Sequence, residues 1–357
     1  MLSINMDDVM QVISNIKNYL IAFGVVLVLA LIVMFAVRKM PKAKKKLIRA
    51  QSGVAILLAL AIVANLICTG PMSTMLDLVS VSGTISEETS AEATQLVNEI
   101  TREGVVLAQN DDNILPVASG SKLNVFGWSS TNPCYGGTGS GALNDAYPVT
   151  DLLTGLHDAG IETNDELSKF YTDYYATRPT VGMSKQDWTL PEPNVNLYTN
   201  EMMENAKNFS DTAMVVITRV GGEGADLPTD MAAVAGGNWI RRVAEYRGNE
   251  KGAGYYNGTY DDTLNEGNDW DAGDHFLQLS NREEELIDLV TANFDNVIVV
   301  YNGANAFEMG WVNDYPQIKG VLLCPGTGQS GFEGFGRVVA GEVNPSGHTT
   351  ATFAANS

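Results

Sequence analysis

Apolar residues run without a charge from Tyr19 to Val37, and again from Gly53 to Cys68, broken only by Asn65. At ~1.5 Å per helical residue the first run covers a hydrocarbon core about 30 Å thick, and the second does so when extended to Met72. Both read as transmembrane helices, over residues 19–37 and 53–72. Downstream the pattern changes. Leu123–Trp128, Ala213–Ile217, Val297–Tyr301 and Ile318–Cys324 are short, near-continuous apolar runs that read as buried strands, and Val105–Ala108 is a shorter strand-like run. Thr199–Asn208, Arg282–Asn293 and Gly334–Ala340 read as helices. Thr89-Ser-Ala-Glu92 predicts a capping box, opening a helix whose Leu96, Val97 and Ile100 share one face. Strands apolar throughout and alternating with helices indicate an α/β domain: a mostly parallel sheet sandwiched by helices, over residues 89–357 after a spacer at 73–88.

Charge orients the two apolar runs. Residues 38–52 between them hold Arg38, Lys39, Lys42, Lys44, Lys45, Lys46 and Arg49 and no acid, which places this stretch in the cytoplasm as a basic loop. A signal peptide would carry its cations ahead of its apolar segment, whereas residues 1–18 contain Asp7, Asp8 and a single Lys. The expectation is a multi-pass protein of the cell membrane, with the lipid bilayer as a partner and both termini extracytoplasmic.

The whole chain has 22 basic and 42 acidic residues. Residues 1–69 hold 8 and 2 of these, which leaves residues 70–357 with a net charge of −26. So acidic a surface excludes nucleic acid as a partner, because binding there depends on cationic contacts to phosphate. Cys68, Cys134 and Cys324 are too few for a disulfide framework and lack metal-site spacing; no metal or cofactor is expected. Residues 231–275 break the α/β rhythm with Gly, Asn and Asp. Their Trp239, Tyr246, Tyr255, Tyr256, Tyr260 and Trp270 predict an ordered insertion, since aromatic area is costly to leave wet.

In parallel α/β sheets ligands bind beyond the carboxyl ends of strands, so the segments following each strand hold the candidate chemistry. After the first comes the glycine-rich loop Gly136-Gly-Thr-Gly-Ser-Gly141. It is too far from its helix for a dinucleotide fold and has no Lys for a phosphate loop. After Ala213–Ile217 comes Gly222-Glu-Gly-Ala-Asp226, which sets two carboxylates on a turn at this edge. Glycosidic cleavage uses one carboxylic acid to protonate the leaving oxygen and a second carboxylate as nucleophile or base. Spacing alone leaves a solvated acidic turn open as the commoner alternative. Pro325-Gly-Thr-Gly-Gln329 exposes backbone in the same way, or simply makes a tight strand-to-helix connection.

In order along the chain, Glu103–Pro116, Val125-Phe-Gly127, the Gly136–Gly141 loop, Ser210–Arg219, Gly222–Asp226, Val297–Asn302, Pro325–Gln329 and Gly341–Gly347 together resemble the α/β sandwich domain of glycoside hydrolase family 3, the group that includes β-glucosidases. The resemblance spans roughly residues 90–357. It implies a retaining, exo-acting β-glycosidase whose substrate is a β-linked oligosaccharide or glycoside and whose site lies between this sandwich and a TIM barrel. It implies Glu223 as general acid/base, with Gly137, Thr138, Ser140 and Asp226 near substrate. Leu227 stands where relatives often have Arg. The family's nucleophilic Asp belongs to the barrel, and nothing here supplies eight β/α units. The expectation is therefore the anchored front part of such an enzyme, cut short and inactive without the barrel. The alternative is a non-catalytic surface module for carbohydrate binding or assembly, and a nucleotide-binding domain is a remote third. Protease added to intact cells is expected to degrade the chain after residue 75; protection of that part would overturn the orientation.

Overall fold

The computed structural model describes residues 6–73, 76, 85–139, 142–143, 147–182, 186–223, 226–237 and 258–356. They belong to two compact units, Met1–Ser86 and Glu87–Ser357.

In the first unit, α1 (Met6–Ala36) and α2 (Lys42–Thr69) pack side by side, joined by a 3-10 turn over Val37–Lys39. Both are long and apolar enough to cross a membrane. Their apolar side chains point outward: Ile21, Phe35 and Leu57 are 63–66% exposed. Such a surface is costly in water and suited to lipid, where a helix satisfies its own backbone and presents hydrocarbon. The stretch expected as a loop over residues 38–52 is helical from Lys42 onward, because its Lys, Ala, Leu and Arg residues are strong helix formers. Near the turn, Arg49 Nε donates to Met34 O at 3.3 Å and ties one helix to the other.

The second unit opens with α3 (Glu87–Gly104) and the edge strand β1 (Val106–Asn110). Next come β2 (Lys122–Phe126), α4 (Leu152–Asp158), the two-residue strand β3 (Glu162–Thr163) and α5 (Asp165–Tyr174). A further short strand, β4 (Gln186–Asp187), precedes α6 (Asn200–Phe209) and β5 (Thr212–Arg219). After α7 (Met231–Ala235) and β6 (Gly258–Thr259), the chain closes with α8 (Asn281–Asn293), β7 (Asn296–Gly303), β8 (Ile318–Cys324) and α9 (Gly331–Val339). The six-stranded sheet has the order β1-β8-β7-β5-β2-β3, with β1 antiparallel and every other pair parallel.

Strand alternation divides the core between two faces. Ala213, Val215 and Ile217 of β5 and Val297, Val299 and Tyr301 of β7 meet α5, α6 and α8. The intervening Met214, Val216, Ile298 and Val300 meet α4 and α9. A strand buried on both faces cannot alternate apolar with polar, which is why these segments read as continuous apolar runs. The expected α/β sandwich is the fold observed.

The helices on the α9 side approach unusually closely. A Cβ placed on Gly336 would lie 1.9 Å from Gly155 O, and one on Gly155 would lie 2.1 Å from Phe332 O. On the other flank of α9, α3 turns small and polar residues inward: Asn98 Oδ1 accepts from Gly334 N at 2.9 Å, and Thr101 is buried against Gly331. Of the apolar face expected to hold Leu96, Val97 and Ile100, Leu96 and Ile100 are consequently outside, 55% and 60% exposed, and Val97 is half-buried. The helix also opens at Glu87, two residues before Thr89, so Thr89 lies in its first turn and is not its N-cap.

Within the 231–275 insertion, Tyr260 and Trp270 are buried in a cluster with Trp188, Met231, Val234 and Phe276, as aromatic burial predicts. Trp239, Tyr246, Tyr255 and Tyr256 lie outside the described residues.

Gly336→Ala gains about 1 kcal/mol of helix propensity, yet its methyl group would overlap Gly155 O. The overlap dominates, and chemical denaturation is expected to show a net loss of roughly 1–3 kcal/mol.

Candidate active site

Four loops meet at the carboxyl ends of β2, β5, β7 and β8. Asn302, the last fully buried residue of β7, fastens two of them. Its Oδ1 accepts from Cys134 N at 2.6 Å, and its Nδ2 donates to Cys134 O, Cys324 O and Pro325 O at 3.1–3.3 Å. Gly328 N then donates to Tyr135 O at 2.6 Å. The loops leaving β2 and β8 thus become one layer, and Cys134 and Cys324 are both buried free thiols within it.

The glycine loop rests directly on the acidic turn. Thr138 Oγ1 donates to Glu223 O at 2.8 Å. A Cβ on Gly137 would lie 3.1 Å from Gly221 O, and one on Gly222 would lie 2.4 Å from Thr138 N. Gly139, at φ +65°, is held in the left-handed region; a side chain there would begin 2.6 Å from Glu223 Oε2. The Glu223 carboxylate therefore lies across Gly139 with its own residue exposed to solvent. The structure brings Gly137, Thr138 and Glu223 together, with the Thr138 hydroxyl used within the turn. Asp226 is exposed on the same turn, and Ser140 lies outside the described residues.

Beneath the turn, Arg219 is fully buried at the end of β5. Its Nη1 and Nη2 reach the two oxygens of Glu283 at 2.8 and 2.6 Å. Its remaining donors reach Phe276 O, Gln278 O and Thr218 O, and the rings of Phe276 and Phe307 flank it. Glu283 also completes the capping box of α8 with Ser280. A buried charge so fully bonded offsets its desolvation, and removing either partner would strand the other. Beside it, Arg178 stacks on Trp128 and donates to Thr218 Oγ1 at 2.5 Å.

Residues 105–357 match the sequence profile of the glycosyl hydrolase family 3 C-terminal domain. The chain belongs to glycosyl hydrolase family 3. Among curated relatives, it is 31% identical over 271 residues to beta-glucosidase A of Butyrivibrio fibrisolvens, covering 73% of this chain and 28% of that protein. It is 26% identical over 259 residues to a beta-glucosidase of Ruminococcus albus, covering 72% and 22%. Among solved structures it resembles beta-glucosidase 3B from Thermotoga neapolitana in complex with α-D-glucose, with TM-score 0.52 and 25% identity over 76% of this chain and 31% of that one. A beta-glucosidase from Paenibacillus barengoltzii gives a TM-score of 0.55 at 25% identity, covering 76% of this chain and 25% of that one. The matched region thus spans about a quarter of the length of these curated family 3 relatives.

Several residues that shape this family 3 site escape a reading of the sequence. Arg178, Arg219, Asn302 and Glu283 are ordinary polar residues whose partners lie far away in the chain. Asn302 carries one local signal: a polar residue directly ending an apolar strand. Glu192 carries none. It is buried, accepting from Trp128 N at 2.7 Å and from Tyr198 OH at 3.1 Å. Tyr198 in turn meets Tyr171, whose hydroxyl accepts from Gly127 N, so the network holds the backbone where β2 leads into the glycine loop. Burial pushes the Glu192 carboxyl up from near 4.5 to about 8, outweighing the Trp128 N–H and Tyr198 bonds that favour its charged form. Between these values the folded state holds a proton that the unfolded state has released, so stability falls as pH rises from about 5 to 8. The slope is at most about 1.4 kcal/mol per pH unit. Glu192→Gln is expected to flatten this decline in denaturation midpoints measured across that range.

Proposed function

We propose that this chain supplies the acid/base half of a retaining β-glycosidase and holds it on the outer side of a membrane. The observation that carries the reading is the seating of Glu223: a solvent-exposed carboxylate laid across Gly139, on a turn at the ligand edge of the sheet. A side chain at position 139 would overlap that of Glu223, so the glycine is what lets the loop pack against the carboxylate. The names of the curated relatives, beta-glucosidases, agree with a β-glycoside substrate.

Retaining cleavage needs two carboxyl groups ~5–5.5 Å apart, one to attack the anomeric carbon and one to protonate the departing oxygen. In this reading Glu223 gives its proton to the leaving oxygen and then takes one from the water that releases the sugar. The attacking carboxylate comes from a barrel domain that is not among the described residues, and the sandwich without it does not turn over substrate. Asp226 borders the substrate or holds the turn. Gly137 lets the glycine loop approach the turn, and Ser140 is a neighbour of the sugar in this reading. The two apolar helices supply the tether. The cations between them face the cytoplasm, which puts the acidic unit, and Glu223 with it, outside.

The role of Glu223 is tested with the chain joined to a family 3 barrel. Glu223→Gln is expected to lower turnover of alkyl or oligosaccharide β-glucosides by about 10²–10⁴-fold, the usual contribution of a positioned acid. Aryl glucosides with strongly activated leaving groups need little protonation, so their glycosylation step should fall far less. Equal loss for both substrate types would overturn the assignment.

A further inference from the structure

The tip of the helical hairpin carries charge that the chain itself does not answer. Seven cations fall between Arg38 and Arg49, while the sequence has no acid between Asp8 and Asp77. All but Lys45 are exposed, and among the described residues none of the seven forms an ion pair. Their arrangement is unfavourable to the helix that bears them. Lys42 and Lys46, and likewise Lys45 and Arg49, stand four residues apart on one side of α2, where like charges repel. Lys42, Lys44 and Lys45 lie in its first turn, at the end where the helix dipole is already positive, and no acid is there to offset them. Pro41 contributes no side-chain cap to the first amides.

Depth gathers these groups into one layer. Arg49 Nε donates to Met34 O at 3.3 Å, which sets Arg49 about level with Met34 in the hairpin. At ~1.5 Å per residue, Lys46 then stands about level with Val37, where the apolar run of α1 ends, and Lys42 about 6 Å beyond it. A bilayer about 40–45 Å thick around a hydrocarbon core of about 30 Å has roughly 5–7 Å of headgroup on each side. The lysines of α2, with Arg38 and Lys39, therefore span the depth at which phospholipid phosphates lie. A helix held against its own electrostatics, uncapped and at this depth, is completed by negative charge from outside the chain.

We propose that the hairpin tip binds the phosphate groups of anionic phospholipids and gathers those lipids around the tether. The proposal rests on the reading of the two helices as a membrane tether. Lipid phosphates are held beside the tip at high local concentration, whereas a free anion must be drawn from solution against salt. A zwitterionic headgroup brings its own cation to the lysines, so anionic lipids are the ones selected.

The test is native mass spectrometry of the full chain in non-ionic detergent with equal amounts of phosphatidylglycerol and phosphatidylcholine. Phosphatidylglycerol is expected to be retained roughly 10- to 100-fold more, about what two or three surface cations supply. Replacing Lys42, Lys44, Lys45 and Lys46 together by Gln leaves Arg49 and its bond to Met34 in place and should remove most of that preference. Replacing the same four by Arg keeps the charge, guards against a folding defect, and should preserve it. Equal retention of the two lipids, or a preference that survives the Gln substitutions, would overturn the proposal. Displacement of phosphatidylglycerol by inorganic phosphate at equal concentration would also overturn it, marking a site for free anions. Flotation with vesicles of phosphatidylcholine alone tests the tether separately. A chain that fails to float removes that reading and the proposal with it, whereas one that floats but shows no lipid preference removes the proposal alone.

Discussion

The Asn302 side chain, with no exposed surface, exchanges hydrogen bonds with the backbone of Cys134, Cys324 and Pro325, and the ligand edge is built outward from that exchange. Loops at the end of a buried sheet carry backbone groups that neither a strand nor water can satisfy, and each one left unpaired costs about 1–3 kcal/mol. One amide satisfies several. The loop from β2 then lies flat against the loop from β8, and its glycines are delivered to the turn that bears Glu223.

Close approach is the second constraint, and it works alike at the site and in the core. Gly139 leaves room for the Glu223 carboxylate, and Gly155 and Gly336 let two helices touch backbone to backbone. The same closeness inverts α3. A helix seated on Gly331 and Gly334 must present small side chains, so Asn98 and Thr101 go inward while Leu96 and Ile100 remain outside. An apolar stripe states which residues prefer burial, but the contour of the neighbouring helix decides which of them fit.

Charge is the third. In an acidic unit, buried ionisable groups have met their desolvation in different ways. Arg219 and Glu283 neutralise each other with bidentate geometry. Burial pushes the Glu192 carboxyl up to about 8, while its oxygens accept from Trp128 N and Tyr198 OH. Arg178 stacks on the Trp128 ring and donates to Thr218 Oγ1 and Asn132 O. Each of the three makes contact at or just after the end of β2 or β5, through Trp128, Thr218 or Arg219.

Much of this architecture was legible in the sequence. The two membrane-length helices, the four long strand segments and their alternation with helices follow from local composition, because burial on both faces writes a continuous apolar run whatever the tertiary details. Tertiary structure alone decided the rest. The face that α3 buries was set by glycines more than 200 residues away, and two-residue strands such as β3 were too short to leave a periodic signal. Asn302, Arg178 and Glu192 acquire their meaning from partners 22 to 168, 40 to 46 and 6 to 64 residues distant. A side chain's own neighbours in sequence determine whether it enters a strand or a helix. Whether its charge or amide is satisfied, and by what, depends on groups that only the folded chain brings within hydrogen-bond reach.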